Sequence, residues 1–94
     1  NDMDFINFIS NENIQKRIDF AKKYKSLDLS QLNLQKMPFD LESIRNIPLT
    51  EINLSNNQLT ELPKFIGHFK TLKILDISVN QLKTIPNDNR YDIK

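Results

Sequence analysis

Ninety-four residues with a formal net charge of +1 make one domain with no strong electrostatic pull toward nucleic acid or an anionic membrane. The chain has no cysteine, which excludes a disulfide framework, thiolate chemistry and a cysteine-based zinc site. No apolar run is long enough to read as a transmembrane helix.

The chain opens with an apolar cluster, Phe5-Ile6-x-Phe8-Ile9. Such a cluster either extends a cap over a nearby core or stands exposed as a docking point for another protein or another copy. Between residues 12 and 24, Ile14, Ile18, Ala21 and Tyr24 recur at helical spacing. Asn11 or Asn13 can cap the start of this helix. Its other side carries Lys16, Arg17, Lys22 and Lys23. A short basic amphipathic helix either covers the open end of a core or lies on a membrane surface. The cap is the favoured reading, because the helix runs straight into a segment with a core to cover.

Three related segments follow. The first is Tyr24-x-x-Leu27-x-Leu29-x-x-Leu32-x-Leu34-x-x-Met37-Pro38. The second is Leu49-x-x-Ile52-x-Leu54-x-x-Asn57-x-Leu59-x-x-Leu62-Pro63. The third is Leu72-x-x-Leu75-x-Ile77-x-x-Asn80-x-Leu82-x-x-Ile85-Pro86. The second and third are offset by 23 residues and keep the same chemical type at each consensus position. The first and second are offset by 25, as are the pairs Leu41/Ile66 and Ile44/Phe69. The two extra residues therefore fall in Arg45-Asn46-Ile47-Pro48. A fixed period of this length marks a stacked solenoid, and insertions into such repeats map to loops on one face.

Each copy has its own internal logic. Leu27/Leu29, Ile52/Leu54 and Leu75/Ile77 alternate as in a strand, so they point inward. One short strand per copy stacks into a parallel sheet. Asn57 and Asn80 fall where the chain turns out of the strand. A buried amide there can serve backbone donors and acceptors that the turn leaves unpaired. The expectation is an asparagine ladder, with no catalytic role. In the first copy Leu32 replaces the asparagine, which suits packing against the cap. Pro38, Pro63 and Pro86 favour an extended backbone after the last inward residue. Phe39, Leu41 and Ile44, and then Phe65, Ile66 and Phe69, line the convex side.

After Pro86 only Asn87 to Lys94 remain. Tyr91 and Ile93 either fold back over the last copy or belong to a loose tail. A sparsely covered sheet edge here is a site for self-association or strand exchange.

The spacing of these leucines and asparagines resembles the leucine-rich repeat family, with its LxxLxLxxNxL consensus. The run Leu62, Pro63, Ile66, Gly67 and Phe69 resembles an LP-x-x-I-G-x-F subgroup. That subgroup includes Ras-group intracellular proteins and spirochaete-type bacterial ones. The resemblance covers residues 24–86. It implies an α/β fold class: a short leucine-rich-repeat solenoid with a parallel concave sheet and an N-terminal α-helical cap. One domain then spans 1–94, with the cap at 1–23, repeats at 24–48, 49–71 and 72–86, and a tail at 87–94. The lack of cysteine departs from the disulfide-capped extracellular members of animals and plants. It departs equally from bacterial effectors that join such repeats to a ubiquitin ligase with a catalytic cysteine.

Binding is expected on the concave sheet face. The candidate partner-binding residues are Ser26, Asp28, Glu51, Asn53, Ile74, Asp76 and Val79. Ser30, Gln31, Ser55, Asn56 and Ser78 share that face. Ile74 and Val79 are apolar where the other copies carry Ser26/Glu51 and Gln31/Asn56, which marks a contact spot for a partner or for the tail. The face has no aromatic platform for bases or sugars. Asp28 and Asp76 lie two strands apart, roughly 10 Å, too far to share one metal directly. That distance is near the ~6.5–9.5 Å of an inverting glycosidase pair, but a flat polar face has no pocket to raise one pKa. His68, the lone histidine, reads as a solvated turn residue on the convex side. Gly67 is the single glycine, so there is no phosphate-binding loop, and no cofactor or metal site is expected.

The resemblance and this face together point to a noncatalytic protein–protein interaction module whose partner is a protein. A homo-oligomer through the C-terminal edge is the second partner expectation. The alternatives are a regulatory or structural repeat fragment of a larger protein, an enzyme included, or a surface adhesin. The chain begins with Asn1 rather than Met, the mark of a processed or trimmed product, and this leans toward an exported or cell-surface protein.

Overall fold

The computed structural model describes residues 2–94, the side chains of residues 6–9 excepted. Helix α1 spans Asp2–Tyr24. The stretch holds neither glycine nor proline. Asp2 and Asp4 stand in its first turn and Lys22 and Lys23 in its last, so both ends complement the helix dipole. The periodicity placed the start near residue 12, and the helix begins ten residues earlier. The reason is visible in the packing. Ile18 and Ala21 are buried and Ile14 packs against them, so the apolar stripe marks only the part of α1 that meets the stack. In the N-terminal cluster, Phe5 is 66% exposed, and the side chains of Ile6, Phe8 and Ile9 lie outside the described residues.

Lys25 ends the helix. Its backbone is left-handed, with φ 61°, and its N–H donates to the Ala21 carbonyl at 2.8 Å. One residue thus turns the chain into strand β1, Ser26–Asp28. Strands β2 (Glu51–Asn53), β3 (Ile74–Asp76) and β4 (Asp92–Ile93) follow. The sheet is parallel throughout, in the order β1-β2-β3-β4. In each of the first three strands the central residue, Leu27, Ile52 or Leu75, is fully buried, and its neighbours are half-exposed. This is the α/β solenoid the repeats predict.

The convex side is built from single 3-10 turns rather than α-helices. One covers Leu41–Ser43, with the Asp40 carboxylate accepting from the Glu42 N–H at 3.2 Å. The other covers Lys64–His68, entered through Pro63 in extended conformation. Ile44, Ile66 and Phe69 point into the core from this side. The insertion in the first coil forms a turn, but Ile47 within it is buried, so the extra residues also add core.

The tail is ordered into the stack. Tyr91 is buried in the core cluster, and β4 pairs with β3 in register Ile74↔Asp92 and Leu75↔Ile93. Ile93 thereby takes the place of the fourth consensus position in a further copy. Asp88 and Arg90 set up this return. The guanidinium grips the carboxylate through Nε at 3.0 Å and an Nη at 2.6 Å, and the Arg90 N–H adds a bond at 2.9 Å.

Candidate functional site

The asparagines hold the coils to one another. Asn57 is 7% exposed. Its Oδ1 accepts from the N–H groups of Leu32 (3.1 Å) and Leu34 (2.9 Å) in the first coil. Its Nδ2 donates to the carbonyls of Leu29 (2.9 Å), Leu54 (3.0 Å) and Ser55 (3.2 Å). Asn80 repeats the arrangement one coil on, with Leu54 and Ile77 carbonyls as acceptors and the Leu59 N–H as donor. Leu32, which stands where an asparagine is expected, is half-buried beside Ile14 and Leu34 in the groove between α1 and the first coil.

The concave face resolves into two rows. The strand register aligns Ser26, Glu51, Ile74 and Asp92 in one row, and Asp28, Asn53 and Asp76 in the next. The second row is used internally. The Asp28 carboxylate accepts from the Ser30 N–H at 2.9 Å and its hydroxyl at 2.6 Å. The Asp76 carboxylate does the same with Ser78, at 3.1 and 2.7 Å. The Asn53 carbonyl oxygen accepts from the Ser55 N–H at 2.9 Å. Each of these side chains closes the Asx turn that ends its strand. The signal was in the sequence: an Asp or Asn followed two residues later by serine recurs in every coil. Ser55, assigned to the solvent-facing surface, is in fact buried, because the turn folds it under Asn56.

The first row has no such duty. Among the described residues the side chains of Ser26, Glu51, Ile74 and Asp92 make no hydrogen bond or ion pair, and Ser26, Glu51 and Ile74 are half-exposed. Val79 lies at the edge of the face, 69% exposed. Helical spacing puts Arg17 on the exposed basic side of the helix. It reaches instead from α1 over the rim, donating to the Asp28 carbonyl at 2.8 Å with its carboxylate 3.5 Å away.

Val79 carries a second peculiarity. Its φ is 55°, matching Asn56 at 58° and Gln31 at 57° in the other coils. A β-branched residue in the left-handed region is strained. Val79→Asn, which copies the second coil, is expected to stabilise the chain by about 1 kcal/mol. A thermal melt should show this as a rise of roughly 4–8 °C.

Two carboxylates make stability depend on acid. The Ser78 hydroxyl, then the Ser78 N–H, hold Asp76 below its ordinary pKa, with the Lys94 charge assisting against a small burial cost. Hydrogen bonds from Arg90 bring Asp88 to about 2. A depressed carboxylate contributes stability that is present above its unfolded value and lost as the pH falls through the folded one. Melting temperature should therefore drop between about pH 4 and pH 2. Asp76→Asn keeps the turn bond, as Asn53 does, and the double variant with Asp88→Asn should lose less melting temperature over that window than wild type. Parallel acid melts check it.

Among the described residues there is no group of three metal-ligating side chains, and no helix is long and apolar enough to cross a membrane. His68 is exposed on the convex side, 3.0 Å from the Arg45 carbonyl and edge-on to Phe69.

Residues 49–89 match the family model described as leucine rich repeats (2 copies). The chain is similar to dynein regulatory complex subunit 7 of Chlamydomonas reinhardtii, 33% identical over 78 residues, covering 80% of this chain and 7% of that protein. It is 40% identical over 76 residues to a probable serine/threonine-protein kinase, pats1, of Dictyostelium discoideum, covering 65% of the chain and 2% of the relative. Tubulin-specific chaperone E of the same organism is 37% identical over 82 residues, covering 71% of the chain and 15% of that protein. No solved structure gives a significant match. The parallel sheet and asparagine ladder are those of a leucine-rich-repeat solenoid, with the family's repeats matched over residues 49–89. It spans at most 15% of the length of these relatives. All three are eukaryotic proteins, so they lend no support to the bacterial branch of the resemblance.

Proposed function

We propose that the chain is a noncatalytic interaction module that binds a protein partner through the concave face. The observation that carries this reading is the division of labour between the two rows. Asp28, Asn53 and Asp76 hold the turns, whereas the side chains of Ser26, Glu51, Ile74 and Asp92 have no hydrogen-bond or ion-pair partner among the described residues, on backbone fixed by the sheet ladder. Binding groups on such a scaffold lose little freedom when a partner docks. We place recognition in Ser26, Glu51 and Ile74, flanked by Val79, with the turn residues as support. The surplus of carboxylates on this face favours a partner with basic groups and a salt-sensitive association.

The test is capture of a partner by the immobilised chain, compared with a Glu51→Lys/Ile74→Ser variant. The expected outcome is loss of the captured protein with a melting temperature within a few degrees of wild type. Undiminished capture by the folded variant would refute the concave-face reading.

A second reading has its own support. The relatives are far longer than the chain, which favours a repeat segment serving a larger protein as a regulatory or structural part. On that reading the concave face keeps the same role, and the partner lies within the larger assembly. The LP-x-x-I-G-x-F run at Leu62–Phe69 supports assignment to that subgroup of the family.

A further inference from the structure

We propose that the cleft between α1 and β1 is the anchor point of the partner, seating one apolar side chain of a protein segment that carries carboxylates on either side of it. The proposal rests on the concave-face reading, because the cleft continues that face past β1 onto the helix.

The cleft is lined by Lys16, Arg17, Phe20 and Asp28 and has a volume of 190 Å³. That is below the ~300 Å³ at which sites for small molecules begin, so it is sized for a single side chain. Arg17 ties its two walls together. The guanidinium donates to the Asp28 carbonyl at 2.8 Å and stands 3.5 Å from the Asp28 carboxylate. Held in this way, it loses little freedom when a partner docks. Phe20 is the apolar wall. It stands two residues on from buried Ile18, about 200° around the helix, and so turns away from the core. Its ring lies 4.5 Å from that of Tyr24, centroid to centroid, and the two residues are 50% and 55% exposed. A single exposed apolar residue is ordinary. A pair of exposed rings beside an arginine, next to a sheet face without aromatic residues, has the composition of an interface core.

The charges select the occupant. Lys16, Arg17 and Lys23 lie within about one helical turn of Phe20. Among the described residues the Lys16 ammonium has no hydrogen-bond or ion-pair partner, and the Lys23 ammonium lies over the Tyr24 ring, 5.4 Å from its centroid. The carboxylates close by are engaged. Asp28 accepts from the Ser30 N–H and hydroxyl as well as facing Arg17, and Asp19 accepts from the Gln15 amide at 3.0 Å. The surface around Phe20 is therefore short of negative charge, whereas the sheet row carries the unpaired Glu51. Complementarity then gives the partner a direction, with carboxylates over α1 and basic groups over the sheet. Two copies docked through this cleft across a two-fold axis would set like charges together, which disfavours a second copy as the occupant.

The test is a titration of the ¹⁵N-labelled chain with the synthetic peptide Gly-Ser-Asp-Leu-Trp-Asp-Gly-Ser, blocked at both ends and followed by amide chemical shifts. Saturable shifts are expected from Lys16 to Tyr24 and at Asp28, with a dissociation constant on the order of 1 mM. A peptide with lysine in place of both aspartates should bind roughly fivefold or more weakly. Lys16→Glu should narrow that difference to within about twofold. Phe20→Asp, its fold checked by circular dichroism, should abolish saturable binding. No saturable shift up to about 10 mM peptide would overturn the proposal. So would binding that Phe20→Asp leaves intact, or binding that the two peptides share equally. Shifts of the same amides on adding unlabelled chain would assign the cleft to a second copy and overturn it as well. The peptide has no basic group for the sheet row, so its failure strikes the cleft alone. Undiminished capture by Glu51→Lys/Ile74→Ser strikes the concave row alone.

Discussion

Asn57→Ala should destabilise the chain by about 3–5 kcal/mol, more than most single changes outside the apolar core. The amide joins two coils, and its loss strands the part-buried N–H groups of Leu32 and Leu34 and the buried Leu29 carbonyl. A buried polar group left without a partner costs about 1–3 kcal/mol, and three are exposed to that fate at once. Asn80→Ala should cost less, about 1–2 kcal/mol, because Asn80 is half-exposed and its oxygen serves one N–H rather than two. Urea unfolding followed by circular dichroism reads both. Equal losses at the two positions would contradict the account of Asn57 as the tie between the first coil and the second.

Ile18→Asp is expected to have an effect of similar size. Ile18 is buried where α1 closes the first coil, alongside Ala21, Leu27 and Leu29. The change removes about 2 kcal/mol of apolar burial and puts a carboxylate in its place at a further cost of roughly 1–3 kcal/mol. A small domain has only about 5–10 kcal/mol of stability, so a loss of this size should move its unfolding midpoint to much lower urea. Phe20→Asp is the control. Phe20 is 50% exposed on the same helix, its ring tilted against Tyr24, and its replacement should shift stability by less than about 1 kcal/mol. The contrast separates loss of the cap contact from loss of helix propensity. If the two variants unfold at the same urea concentration, α1 is not a cap.

The parts of this structure that were legible in the sequence are those that repeat. A fixed period places Leu27, Ile52 and Leu75 on one side of a sheet, because stacking forces equivalent residues into register. Asn57 and Asn80 were readable for the same reason, and so was the exception at Leu32. What failed to show lies outside the repetition. The start of α1 was hidden because periodicity reports a helix only where one face meets a core, and residues 2–13 extend before the buried stripe. The return of Tyr91 and Ile93 over the last copy was one of two options in the sequence, and the pairing of β4 was hidden because two residues carry no alternation and its position depends on Tyr91 finding the core and Arg90 gripping Asp88.

The candidate site was legible as a face but not as individual roles. Ser26 and Glu51 sit where alternation put them. Asp28, Asn53 and Asp76 occupy the same face, yet their oxygens are taken up by the backbone two residues on. Side-chain direction follows from strand period, whereas a side chain's hydrogen-bond partner follows from the turn, which needs the local motif as well. Val79 illustrates the same limit. Its exposure was readable from the pattern, but its left-handed backbone was not, since valine is a residue that avoids that region.

The central claim is that the row Ser26–Glu51–Ile74 meets the partner while the turn row and the asparagines hold the scaffold. Amide chemical-shift mapping of the ¹⁵N-labelled chain, titrated with the protein it captures, tests this most directly. The account predicts that the largest perturbations fall on Ser26, Glu51 and Ile74 and extend to Val79, with Lys64 to Lys70 on the convex side unmoved. Perturbations concentrated on that convex segment, with the sheet unaffected, would contradict it.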